Sequence, residues 1–148
     1  MKLEKVIACI LGLSLTAGEV AAVQAQSLQE QAICAQQAKT AFQDYNNVGS
    51  VPGFKLLTSN YQSHYNTKLN KCLVLITEMS EMDGQLITSE DLLDAFEHRE
   101  FADYIWQTKE GKNVSSAPPY CTLTPKMQQE KACSKEEFDA FVSKYMEQ

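Results

Sequence analysis

The chain has 148 residues, with 13 Lys+Arg against 19 Asp+Glu and a formal charge of −6. Hydrophobic residues make up 44% and charged residues 22%, which excludes a disordered or collagen-like polymer and suits one domain of ordinary size. An acidic chain without a basic cluster is a poor partner for nucleic acid or an anionic membrane, because phosphate is bound chiefly through Lys and Arg.

Residues 1–27 read MKLEKVIACILGLSLTAGEVAAVQAQS. Lys2 and Lys5 make a short basic start, interrupted by Glu4, and Val6 to Ala17 is uncharged and mostly apolar. Small residues then lead to Ala25, so the pattern is that of a secretory signal peptide cleaved after Ala25. As a helix the apolar run rises only about 18 Å, short of a hydrocarbon core of about 30 Å, which argues against a membrane anchor. Val6-Ile7-Ala8-Cys9 has the look of a lipobox, but most of the apolar run follows the cysteine instead of preceding it. Cleavage leaves residues 26–148 as a single domain without a further membrane segment, exported to the periplasm or the medium.

The mature chain keeps Cys34, Cys72, Cys121 and Cys133. An even number in an exported chain points to two disulfides, and no C-x-x-C spacing supports a zinc or redox motif. Three connectivities are open. Cys34–Cys72 with Cys121–Cys133 is preferred because each bridge joins neighbouring segments. A catalytic thiol is the rival reading, and it would strand an odd partner.

From Ser27 to about Asn46, Leu28, Ala32, Ala35, Ala38 and Phe42 fall at helical spacing, with Cys34 and Ala41 near the stripe. The helix ends in the turn-rich run Asn46 to Gly53. Lys55 to Tyr65 alternates as a strand with Leu57, Tyr61 and Tyr65 on one face, and Asn66-Thr67-Lys68 suits a turn. Leu69 to Thr77 is apolar on both faces, as in a central strand covered on both sides. Residues 88–107 are ambiguous: Ser89 could cap a helix carrying Leu92, Ala95 and Phe96, or two strands could turn at His98-Arg99. Glu110 to Pro119 reads as a polar loop containing the triplet Asn113-Val114-Ser115, and Tyr120 to Thr124 as a short edge strand. Ser134-Lys135-Glu136-Glu137 is a capping box, followed by Phe138, Phe141, Val142, Tyr145 and Met146 on one stripe.

Tyr61 to Cys72, reading YQSHYNTKLNKC, resembles a segment of a family of small exported bacterial proteins of unknown function. The later stretches Leu92 to Glu97, Phe101 to Trp106, and Glu137-Phe138 to Tyr145-Met146 extend the likeness over most of residues 28–147. In those relatives a glycine often follows the acidic residue, which implies a hairpin around His98-Arg99. The resemblance implies fold and export, and it brings no activity with it.

Met79 to Glu90 overlays a calcium loop, but Met79 and Ile87 stand where ligands should be, so an Asp83-Gly84 hairpin turn is favoured. Glu90, Asp91, Asp94, Glu97, Glu100 and Asp103 read as a solvated acidic face. Tyr61, Tyr65, Phe101, Tyr104 and Trp106 read as core aromatics before a ligand platform. No H-E-x-x-H, G-x-S-x-G or glycine-rich phosphate loop is present, so no metal or cofactor is expected. The expected fold is α+β: an N-terminal helix, a four- or five-stranded antiparallel sheet, a C-terminal helix packed on it, and two disulfides. The expected function is a non-enzymatic binding, inhibitor or envelope accessory protein using His64, Tyr65, His98 and Arg99 toward a protein or small molecule. Such a protein would be a monomer or a weak homo-oligomer. The alternative is a small periplasmic hydrolase using His64 with a nearby carboxylate.

Overall fold

The computed structural model describes residues 17–47, 53–109, 112–113, 120–124 and 131–147. In chain order these form α1 (Ala17–Asn46), β1 (Phe54–Asn66), β2 (Lys71–Met82), β3 (Gln85–Asp94), β4 (Glu100–Lys109), β5 (Lys112–Asn113), β6 (Tyr120–Leu123), β7 (Lys131–Ala132) and α2 (Lys135–Met146). All strand pairs are antiparallel, in the order β1-β2-β3-β4-β6-β7, with β5 pairing β4. Five strands carry the sheet, while β5 and β7 are two-residue additions. The expected α+β class and both disulfides, Cys34–Cys72 and Cys121–Cys133, are present.

The turns explain the register. Asp83 and Gly84 have φ of 52° and 74°, the two left-handed positions that a two-residue hairpin turn demands. They close β2 on β3 at Met82↔Gln85, so this segment is a turn and not a calcium loop. Between β1 and β2 the Asn66 side chain accepts from the Leu69 N–H at 3.0 Å and donates to the Tyr145 carbonyl at 2.9 Å. One buried side chain thus shapes the turn and ties it to α2. Between β3 and β4, Asp94 Oδ1 accepts from the Phe96 and Glu97 N–H groups at 2.9 and 3.1 Å. His98 then takes φ 52° to reverse the chain.

Residues 88–107 are therefore a hairpin. The helix that Ser89 could have capped is displaced by ten-residue strands on both sides of the turn, which pair from Leu86↔Thr108 to Leu93↔Glu100. Tertiary pairing overrides local propensity here.

The sheet is covered on both faces. Alternation along β2 sends Cys72, Val74 and Ile76 toward Cys34, Ala38 and Ala41 of α1, and Leu73 toward Phe138 and Tyr145 of α2. Leu92 and Leu93 divide the same way on β3. The C-terminal helix carries its full predicted stripe into the core: Phe138 and Tyr145 are buried, and Phe141, Val142 and Met146 pack alongside. Its capping box is complete, with Ser134 accepting from the Glu137 N–H and Glu137 from the Ser134 N–H.

Three local expectations need correction. Leu57 sits at a bulge between Leu56 and Thr58, so it leaves the face it would share with Tyr61 and Tyr65. Leu69 belongs to the turn and is exposed, because Lys71 is the first residue to pair. On α1, Leu28, Ala32 and Ala35 face solvent, while Cys34, Ala38 and Ala41 are buried. The disulfide turns Cys34 inward and so rotates the buried stripe away from the Leu28–Ala35 line. The expected cleavage position after Ala25 falls inside α1, and residues 1–16, with the lipobox-like Cys9, lie outside the described residues. So does most of the 110–119 loop.

Candidate functional site

Both long hairpins, β1–β2 and β3–β4, turn at the same end of the sheet, and α1 is bonded to that end through Cys34–Cys72. A groove of about 330 Å³ opens there. Its walls are Glu30 and Ile33 of α1, Tyr65 of β1, Asn70, Lys71 and Cys72 at the first turn, and Asp94, Phe96 and Glu97 at the second. The volume falls at the small end of the range for ligand pockets.

The polar side of this groove is fixed. Asp94 is buried, and Lys71 Nζ donates to its Oδ2 at 2.5 Å while lying 3.4 Å from Glu97 Oε2. Burial works against ionisation of Asp94, but the Lys71 hydrogen bond and the two turn N–H groups outweigh it and hold the carboxyl below its usual range. The same Asp94 hydrogen bond holds the Lys71 ammonium above its own range. Tyr65 donates to Asn70 Oδ1 at 2.5 Å, fixing the phenol across the turn. The apolar side is open: Ile33 is 50% and Phe96 55% exposed.

The predicted binding residues divide around this end. Tyr65, opposite Cys72, lines the groove on the α1 face. His64, opposite Leu73, lies on the α2 face. His98 and Arg99 stand in the second turn beside the groove, where Arg99 Nη2 is 3.5 Å from Glu97 Oε2. Sequence reading missed Lys71, Asp94, Phe96 and Glu97. The aromatics separate as well, with Tyr61 and Tyr65 against α1 and Phe101, Tyr104 and Trp106 against α2, so they make no common platform.

A second feature lies on the α1 face of the sheet. Asp91 and Asp103 are directly opposite each other on β3 and β4, and each is only 8% exposed. Tyr45, near the end of α1, donates to Asp91 Oδ2 at 2.7 Å. Asp103 Oδ1 is the one buried side-chain oxygen or nitrogen without a hydrogen-bond partner among the described residues. This corrects the reading of a solvated acidic face: Glu97 and Glu100 are exposed, but Asp91, Asp94 and Asp103 are buried. Once the turn is placed, residues whose numbers sum to 194 face each other, which brings Asp91 and Asp103 together.

Burial, then the Asp91 and Glu100 charges and the hydrogen bond to Asp91, push the Asp103 carboxyl up to about 7. Asp91 is also raised, by burial first and then by Glu78, against the hydrogen bonds from Tyr45 and Ser89. Below about pH 7 the raised carboxyl of Asp103 keeps its proton beside Asp91. A carboxyl raised by folding stabilises fully below its unfolded value of 3.8 and loses that contribution as pH rises through about 7. The whole shift corresponds to about 4 kcal/mol; with effective screening about half is expected, so stability should fall by about 2 kcal/mol between pH 4 and pH 8. Asp103→Asn, which keeps a donor toward Asp91, should remove this slope in urea titrations. An unchanged slope would contradict a proton kept at Asp103.

No family model, curated protein or solved structure matches the chain. The two disulfides fit an oxidising, exported environment, and no helix among the described residues is long and apolar enough to cross a membrane.

Proposed function

We propose that this is an exported, non-enzymatic binding protein, of the inhibitor or envelope-accessory kind, which receives a protein or small-molecule partner in the groove at the turn end of the sheet. The observation that carries the reading is the pairing of two half-exposed apolar side chains, Ile33 and Phe96, with a rigid charged wall formed by Lys71, Asp94 and Glu97. An anchor pocket beside fixed polar groups is how binding sites combine affinity with orientation. Two hairpins and a disulfide-bonded helix hold these groups, so little ordering cost remains for binding. Tyr65, His98 and Arg99 would form the rim. The amino-terminal pattern and the likeness to small exported bacterial proteins supply the export half of the reading.

The test is affinity capture from envelope and culture extracts with the oxidised mature chain, beside a Phe96→Glu variant. Phe96 is exposed, so the variant should fold normally. One saturable partner is expected on the wild type, with affinity reduced at least about tenfold in the variant. Equal capture by both would remove the groove from the binding surface.

A further inference from the structure

The two edges of the sheet are built differently. At one edge the chain finishes in the four-residue β6 and the two-residue β7, short strands that offer little to an incoming chain. At the other edge lies β1, thirteen residues long, and among the described residues no strand pairs with its outer side. From Leu56 to Asn66 it contains no Asp, Glu, Lys, Arg, Pro or Gly. Edge strands are normally protected by such residues or by a covering element. Among the described residues the protection on β1 itself is confined to its start, at Lys55 and the bulge at Leu57, and from Thr58 onward the ladder to β2 is regular.

We propose that β1 is a homodimer surface, pairing antiparallel with β1 of a second copy over Ser59–Tyr65 about a two-fold axis at Gln62. Self-complementarity of the window argues for a second copy as the occupant, and charge allows it there. The chain carries a formal charge of −6, so copies repel over most of their surface, and this window carries no formal charge. Folding the window on itself sets Ser59 opposite Tyr65, Asn60 opposite His64, and Tyr61 opposite Ser63. No two like charges meet, and each face receives polar–aromatic or polar–polar pairs. An isologous contact of this kind closes at two copies. The main-chain ladder supplies the hydrogen bonds and the two sheets become one continuous sheet. The contact is narrow compared with standard interfaces, so the dimer should be weak and concentration-dependent. The pairing rests on the main chain of β1 and meets the groove only at Tyr65.

Gln62 is exposed, which makes it a safe place to put a charge. In sedimentation velocity over roughly two decades of concentration, the wild type should pass from monomer to dimer. Gln62→Lys and Gln62→Glu, each alone, should weaken the dimer about fivefold or more, because two like charges then face each other at the axis. An equimolar mixture of the two variants should dimerise at least as well as the wild type. A wild type that stays monomeric throughout would overturn the proposal, as would variants that dimerise unchanged. Protection of the β1 amides from hydrogen exchange only after an extract is added would assign the edge to a foreign strand, and would overturn it too.

Discussion

Replacing Cys34 and Cys72 together with alanine is expected to lower the unfolding free energy by about 4 kcal/mol, the loop-closure entropy of a bridge spanning 38 residues. The cost should be large because little else fastens α1. Its buried stripe is Cys34, Ala38 and Ala41, helped by half-buried Phe42 and Tyr45. Alanine contributes about 0.8 kcal/mol per methyl-sized group, so this stripe alone is a weak anchor. The ring contact between Phe42 and Tyr61, with centroids 4.7 Å apart, and the Tyr45–Asp91 hydrogen bond hold the other end of the helix. Urea denaturation of the double variant measures the loss. Binding measured on the same protein should fall with it, because Glu30 and Ile33 reach the groove only while α1 is seated. A loss under about 1 kcal/mol would mean that α1 docks without its bridge.

Phe138→Ala is expected to cost about 3–5 kcal/mol, the range for deleting a fully buried aromatic side chain. Phe138 is 0% exposed and is the largest fully buried side chain among the described residues. Its ring lies 5.6 Å from that of Tyr104, and the Lys135 ammonium stands 5.4 Å from its centroid. Phe138 and Tyr145 are the two buried residues of α2, so the cavity would open between two layers that cannot collapse without moving the helix. Phe138→Leu should lose much less, since it keeps most of the volume. Equal losses from both substitutions would contradict a packing origin. The half-buried Phe141 should tolerate alanine better than Phe138 does.

Much of this architecture is legible in the residues. Helix α2 is announced by Ser134 and Glu137 and by its apolar stripe, because local capping and tertiary burial agree there. The hairpin at Asp83-Gly84 is equally plain, since few residue pairs accept two left-handed positions. Residues 88–107 are different: Ser89 to Phe96 satisfies a helix locally, and only pairing with β2 and β4 makes it a strand. The burial of Asp91 and Asp103 is hidden for the same reason. Six acidic residues between Glu90 and Asp103 look like a water-facing surface until the turn is placed. Of the groove, only the rim is legible in the residues. Tyr65, His98 and Arg99 mark hairpin tips, but Lys71, Asp94 and Phe96 come together through the parallel placement of two turns, which no local pattern records. Asp94 reads as readily as a helix residue; its work is to receive Lys71 and two turn N–H groups at once.

We propose the turn end of the sheet as the binding surface. Hydrogen exchange on the captured complex tests it most directly, using the oxidised chain with and without its partner. Protection gained at residues 65–72 and 94–99 and around Ile33, with β4 and α2 unchanged, is the expected result. Protection confined to other surfaces, with those turns exchanging as before, would contradict it.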